Sequence, residues 1–66
     1  MKSLKQLMND PRVYEIERLS SDEFEDGCKY CISLEEGYIF KGTGSGIEYA
    51  ENIADLNQLI KEIINE

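Results

Sequence analysis

Histidine is absent from this 66-residue sequence, and cysteine occurs only twice, as Cys28 and Cys31. Without histidine, and with no serine or cysteine beside a plausible base, the sequence has no recognisable machinery for nucleophilic catalysis. Two cysteines this close together are too few to cross-link a small secreted protein, which favours a reducing compartment. We therefore expect a protein that is not an enzyme and that needs no cofactor.

Long hydrophobic runs are also absent from the sequence. Without a stretch of about 18 apolar residues, no segment is expected to span a membrane. Residues 1–10 lack the continuous apolar segment of a signal peptide. These two absences favour a cytoplasmic protein that does not bind membranes.

Basic residues are scarce. Seven Lys and Arg stand against 14 Asp and Glu, which gives a net charge of -7 at pH 7. Residues 1–21 carry four bases and three acids, whereas residues 22–66 carry three bases and eleven acids. Because phosphate contacts need clustered Lys and Arg, direct binding to nucleic acid is disfavoured, and a protein partner with a basic surface is favoured.

The length and composition predict a single folded domain over residues 1–66. A chain of this size buries only about 60% of the surface that its unfolded form exposes. The hydrophobic fraction of 41% is nevertheless enough for a core. We expect a stable fold with a small margin of stability.

A short helix is predicted near the amino terminus. Ser3 followed by Gln6 is a capping-box pattern, and apolar residues at positions 4, 7 and 8 then share one helix face. Asn9-Asp10-Pro11 ends this helix. Asp10 and Pro11 could also begin a second helix, because they suit the N-cap and first helical positions.

A strand is nevertheless favoured over residues 12–19, because this segment contains several β-formers. Its alternation predicts that Tyr14 and Ile16 lie on the buried face and that Glu15 and Glu17 lie on the exposed face. An acid-rich loop is then expected over residues 20–27.

A β-hairpin is predicted over residues 30–40. Residues 30–34 alternate apolar and polar side chains, Gly37 can adopt the positive φ of a tight turn, and residues 38–40 form the returning strand. A flexible glycine-rich loop follows, and residues 46–50 are expected to add a short edge strand.

A long amphipathic helix is predicted to close the chain, with Asn52 as its N-cap. Its apolar stripe comprises Ile53, Leu56, Leu59, Ile60, Ile63 and Ile64. The stripe is expected to pack on the sheet, with the first helix covering the remainder. The predicted class is therefore α+β, an α-β-β-β-α domain with an antiparallel sheet of three or four strands.

Cys28-Lys29-Tyr30-Cys31 has the CxxC spacing of redox pairs and of half a zinc site. In an extended strand, residues three apart point to opposite faces and lie roughly 10 Å apart, so no disulfide is expected. One chain supplies no further cysteine or histidine, so a zinc site would need a symmetric dimer. Packing cysteines are the simpler interpretation, and we expect no metal.

The glycines at positions 42, 44 and 46 superficially resemble a phosphate-binding loop. No GK[ST] follows them, and the next charged residues are Glu48 and Glu51. A loop between strands is the expected structure. A general acid and base pair among the many carboxylates would need a concave site, and a domain this small is expected to have little volume for one.

The acidic residues are the remaining candidate for a functional surface. One interpretation is a surface that only keeps the protein soluble; another is a face that meets a basic groove where phosphates would otherwise bind. A third is a self-associating structural module, a homodimer and not a monomer, in which two copies pair through an edge strand or through apolar surface left over on the last helix. The predicted partner-binding residues are Glu15, Glu17, Asp22, Glu23, Glu25 and Asp26.

An ordered set of short motifs resembles small uncharacterised proteins encoded by phages and prophages. These motifs are the residues at 7–13 (LMNDPRV), Asp26-Gly27 with the strand at 30–34, Gly37-Tyr38, and Glu51-Asn52. Members of that group often carry an aromatic pair where this chain has Cys28-Lys29. The resemblance implies no catalytic residues; it implies an accessory protein that binds and modulates a host factor.

Overall fold

The computed structural model describes residues 1–20 and 27–66. Within these residues the chain forms two helices and five strands, so the predicted α+β class is confirmed. The predicted acidic loop lies largely outside the described residues. The elements in chain order are α1 (Leu4–Met8), β1 (Val13–Arg18), β2 (Tyr30–Leu34), β3 (Tyr38–Phe40), β4 (Ile47–Ala50), α2 (Ile53–Ile60) and β5 (Ile63–Asn65).

Helix α1 begins with the predicted capping box. The Gln6 N–H donates to Ser3 Oγ at 3.3 Å, and the Ser3 N–H donates to Gln6 Oε1 at 2.8 Å. These two bonds satisfy amide groups that have no partner within the first turn. Leu7 is fully buried, whereas Met8, which the sequence placed on the same face, is exposed.

The predicted strand after Pro11 is confirmed as β1, but its alternation is interrupted. Glu15 and Glu17 are exposed and Ile16 is buried, as expected. The placement of Tyr14 on the buried face is wrong, because Tyr14 is 68% exposed. The pairing with β2 shifts between Val13 and Glu15, so β1 has one residue more than β2 at this point. Tyr14 is this extra residue, and Val13 occupies the core position instead.

Strands β1, β2 and β4 form an antiparallel three-stranded sheet with β2 in the centre. The predicted edge strand over residues 46–50 is confirmed as β4. Ile16 of β1 lies opposite Ile32 of β2, and both side chains are buried. One face of this sheet therefore enters the core.

The predicted hairpin between β2 and β3 is wrong. Its turn is present, since the Tyr38 N–H donates to the Glu35 carbonyl at 3.2 Å and Gly37 has a φ of 95°. However, β3 pairs with β5 and not with β2. Both sides of β2 are already hydrogen-bonded to β1 and β4, so β3 must find another partner.

Helix α2 begins at the predicted N-cap, where the Asp55 N–H donates to Asn52 Oδ1 at 2.9 Å. The helix ends at Ile60 and does not continue to Ile64 as predicted. Residues 63–65 instead form β5, with Ile63 opposite Phe40. A short run of β-branched residues fits a helix or a strand, and the pairing with β3 decides between them.

The helices and both sheets share one hydrophobic core. Buried side chains of the two-stranded sheet belong to the same cluster as those of the three-stranded sheet. Neither sheet therefore has a core of its own. Among the described residues, the buried members of this core are Leu7, Val13, Ile16, Ile32, Phe40, Ala50, Leu56, Ile60 and Ile63.

Candidate functional site

The face of the three-stranded sheet that points away from the core is the main candidate surface, and we call it the outer face. The strand registers set its side chains in two rows across the sheet. One row runs from Glu17 through Cys31 to Tyr49. The other row runs from Glu15 through Ser33 to Ile47.

Acidic and apolar side chains lie at opposite sides of the outer face. Glu15 and Glu17 are exposed on β1. Ile47 and Tyr49 are 53% and 40% exposed on β4. A single exposed apolar residue is ordinary for a protein surface. Here two occupy adjacent outward positions of one strand, with two carboxylates at the opposite side of the same face. Binding surfaces often combine an aromatic or aliphatic centre with a polar rim.

The structure brings together two of the six predicted partner-binding residues. Glu15 and Glu17 lie two residues apart on the same face of β1, as the alternation predicted. The other four, at positions 22, 23, 25 and 26, lie outside the described residues. Their part in any binding surface stays a prediction.

Sequence reasoning missed Ile47 and Tyr49 as members of this surface. It recognised the edge strand that carries them but not the direction in which they point. The sequence did contain one indication of this direction. Ala50 is small enough for a close contact with the core, and its neighbour Tyr49 must then point to the opposite face of the strand. In the structure, Tyr49 lies opposite Cys31 and therefore points outward. This strand register could not be predicted from the sequence.

The two cysteines lie in different surroundings and are not joined by a disulfide. Cys31 is half-buried on the outer face. Cys28 lines a shallow cavity of about 280 Å³, together with Glu51 and Asp55 near the start of α2. Among the described residues there is no cluster of three or more potential metal-binding side chains of His, Cys, Asp or Glu.

A larger groove of about 780 Å³ lies between α1 and α2. It is lined by Lys2, Arg12 and Lys61, and none of the described residues that line it is acidic. The Arg12 guanidinium is held by Asp10, with Nε–Oδ1 and Nη2–Oδ2 distances of 3.0 and 2.8 Å. This bidentate pair lowers the pKa of Asp10 to about 2. The groove therefore contrasts in charge with the outer face.

In the part of the chain that the structure describes, no helix has both the length and the apolar character needed to cross a membrane. Comparison of the chain with models of protein families, with curated proteins and with solved structures found no match. The functional argument therefore depends on the surfaces themselves.

Proposed function

We propose that this chain is a non-enzymatic binding protein whose outer face docks on a protein partner with a basic surface. The observation that carries the proposal is the joint exposure of Glu15 and Glu17 with Ile47 and Tyr49 on one face of the sheet. Carboxylates at the side of an interface orient the partner and speed association, whereas aromatic and aliphatic anchors supply affinity.

The net charge of -7 supports the same proposal at longer range. A negative field draws basic proteins into encounter and repels nucleic acid. The partner that best fits is a nucleic-acid-binding protein, whose basic groove would accept carboxylates where phosphates normally lie. The resemblance to phage-encoded proteins favours a host protein in this role.

Affinity capture with matched charge variants tests this proposal. The immobilised protein is exposed to host lysate at low salt, and bound proteins are eluted with a salt gradient and identified by mass spectrometry. We expect a basic nucleic-acid-binding protein to elute as salt rises, because screening weakens exposed charge pairs. Glu15→Lys/Glu17→Lys should abolish its capture.

Glu35→Lys/Glu36→Lys is the matched control, because it changes the net charge equally at two exposed positions in the β2–β3 turn. This control should retain the captured protein, and circular dichroism should show that both variants remain folded. Equal loss of capture in both variants would show that total charge, and not the outer face, determines binding. Capture that is insensitive to salt would also contradict the proposal.

A further inference from the structure

The two outer strands of the three-stranded sheet differ in how their free edges are hydrogen-bonded. In an antiparallel sheet, alternate residues of an outer strand point their N–H and C=O groups away from the neighbouring strand. On β4, the Leu34 N–H donates to the Gly46 carbonyl at 2.8 Å, so even-numbered residues face β2. Ile47 and Tyr49 therefore direct their backbone groups away from β2, to the outer edge of the sheet.

Side chains of the chain itself occupy the free edge of β4. Ser45 Oγ accepts from the Ile47 N–H and donates to the Ile47 carbonyl, both at 3.1 Å. Glu48 Oε1 accepts from the Tyr49 N–H at 3.4 Å. Because these groups already have partners, β4 is protected against the addition of another strand.

The free edge of β1 has no such protection in the described part of the chain. The Leu19 N–H donates to the Lys29 carbonyl at 2.8 Å, so Glu15 and Glu17, which share this register, direct their backbone groups to β2. Ile16 and Arg18 therefore point their backbone groups to the free edge. Among the described residues, no hydrogen bond reaches the N–H or C=O of either residue.

We propose that the free edge of β1 receives an extended segment of the partner as an antiparallel fourth strand, in which Lys or Arg alternates with apolar residues. This inference rests on the proposed function. Cross-strand neighbours on one face lie about 4.5–5.5 Å apart, so basic side chains of the segment would meet Glu15 and Glu17. Its apolar side chains would lie beside Ile16 and extend the core.

A second copy of this chain fits the same edge less well in the registers that centre on Glu15, Ile16 or Glu17. Antiparallel pairing of two β1 strands about Ile16 would set Glu15 of one copy against Glu17 of the other. Pairing about Glu15 would set Glu15 of one copy opposite Glu15 of the other, and pairing about Glu17 would do the same for Glu17. Like charges directly opposite each other destabilise a sheet. The charge pattern therefore selects a basic segment over self-association.

Synthetic peptides test this inference directly. The probe is a fluorescent peptide that alternates lysine and valine over nine residues, and its binding is measured by fluorescence anisotropy at low salt. Opposite Ile16, a valine of the peptide exchanges backbone hydrogen bonds with β1, whereas the lysine N–H groups point to solvent. N-methylation of the valines should weaken binding at least tenfold, and N-methylation of the lysines should leave it within about twofold.

Amide hydrogen exchange supplies a second readout. The bound peptide should slow exchange at Ile16 and Arg18, and Glu15→Lys/Glu17→Lys should weaken binding at least tenfold while Glu35→Lys/Glu36→Lys does not. If a block peptide of the same composition binds equally well, or if the two N-methylated peptides bind alike, strand addition is wrong and the acidic outer face remains a binding surface. Failure of every peptide to bind would also overturn strand addition, whereas the proposed function is judged separately by capture.

Discussion

At the scale of single residues, Asp10 shows how one side chain determines the path of the chain between α1 and β1. Its carboxylate accepts the Arg12 backbone N–H at 2.8 Å in addition to the two guanidinium bonds. The Asp10 side chain is only 8% exposed. The pair therefore fixes the turn at Pro11 and holds Arg12 at the groove between α1 and α2.

The Asp10 pair makes stability depend on pH in a defined direction. The side-chain hydrogen bond to Arg12 lowers the Asp10 pKa from 3.8 to about 2 in the folded protein. The ionised carboxylate therefore stabilises the fold above about pH 4, and this contribution is lost as the pH falls toward 2. We expect Asp10→Asn to lower the free energy of unfolding at pH 7 by about 1–2 kcal/mol.

Urea unfolding at pH 7 and at pH 2.5 measures this effect. The difference in stability between Asp10→Asn and the parent should shrink at the lower pH. Glu36→Gln, at an exposed turn position, is the control and should change stability by less than about 0.5 kcal/mol. A difference between Asp10→Asn and the parent that persists unchanged at pH 2.5 would show that the charge of Asp10 is not responsible.

At the scale of elements, the carboxyl-terminal segment shows how pairing decides the structure of an ambiguous sequence. The Lys41 N–H donates to the Glu62 carbonyl and the Glu66 N–H donates to the Gly37 carbonyl, both at 2.8 Å. Ile64, which lies midway between Glu62 and Glu66 in the same register, therefore bonds to β3. The Ile64 N–H faces Ile39, whereas the Asn65 N–H points away from β3.

Proline substitutions distinguish this strand from the helix that the apolar stripe predicted. Ile64→Pro should destabilise the protein by about 1–3 kcal/mol, because it removes a donor from the ladder. Asn65→Pro should cost less than about 1 kcal/mol, because its N–H lies outside the ladder. Thermal unfolding followed by circular dichroism measures the stability of both variants. Equal losses of stability would contradict the strand and support a helix over residues 63–65, because either proline would then remove a hydrogen bond within the helix.

At the scale of the whole molecule, the two sheets depend on a single core. Phe40 of β3 and Ile32 of β2 are both fully buried. A chain of this length is stable by only about 3–10 kcal/mol. Loss of one large core side chain therefore removes much of the total stability.

Phe40→Ala should lower the free energy of unfolding by about 3–5 kcal/mol. Because the core is shared, amide hydrogen exchange should become faster in β2 as well as in β3. Ile47→Ala, at an exposed position, should change stability by less than about 0.5 kcal/mol. Unchanged exchange in β2 of a folded Phe40→Ala protein would show instead that the larger sheet is stable without the smaller one.

The candidate site could be predicted only in part. The exposure of Glu15 and Glu17 followed from their alternation with Ile16, which is a local property of one strand. The exposure of Tyr49 depends on its neighbours across β2 and β4. The contrast between the protected edge of β4 and the free edge of β1 depends on hydrogen bonds that exist only in the folded chain.

The sequence alone determined the α+β class, the capping residues Ser3 and Asn52, and the turn at Gly37. Each depends on interactions between residues that are few positions apart, so the relevant physics is contained in a short window. Tertiary structure decided which strands pair, where α2 ends and which apolar residues remain exposed. Those outcomes depend on competition between distant segments for the two sides of β2 and for one small core, and no short window contains both competitors.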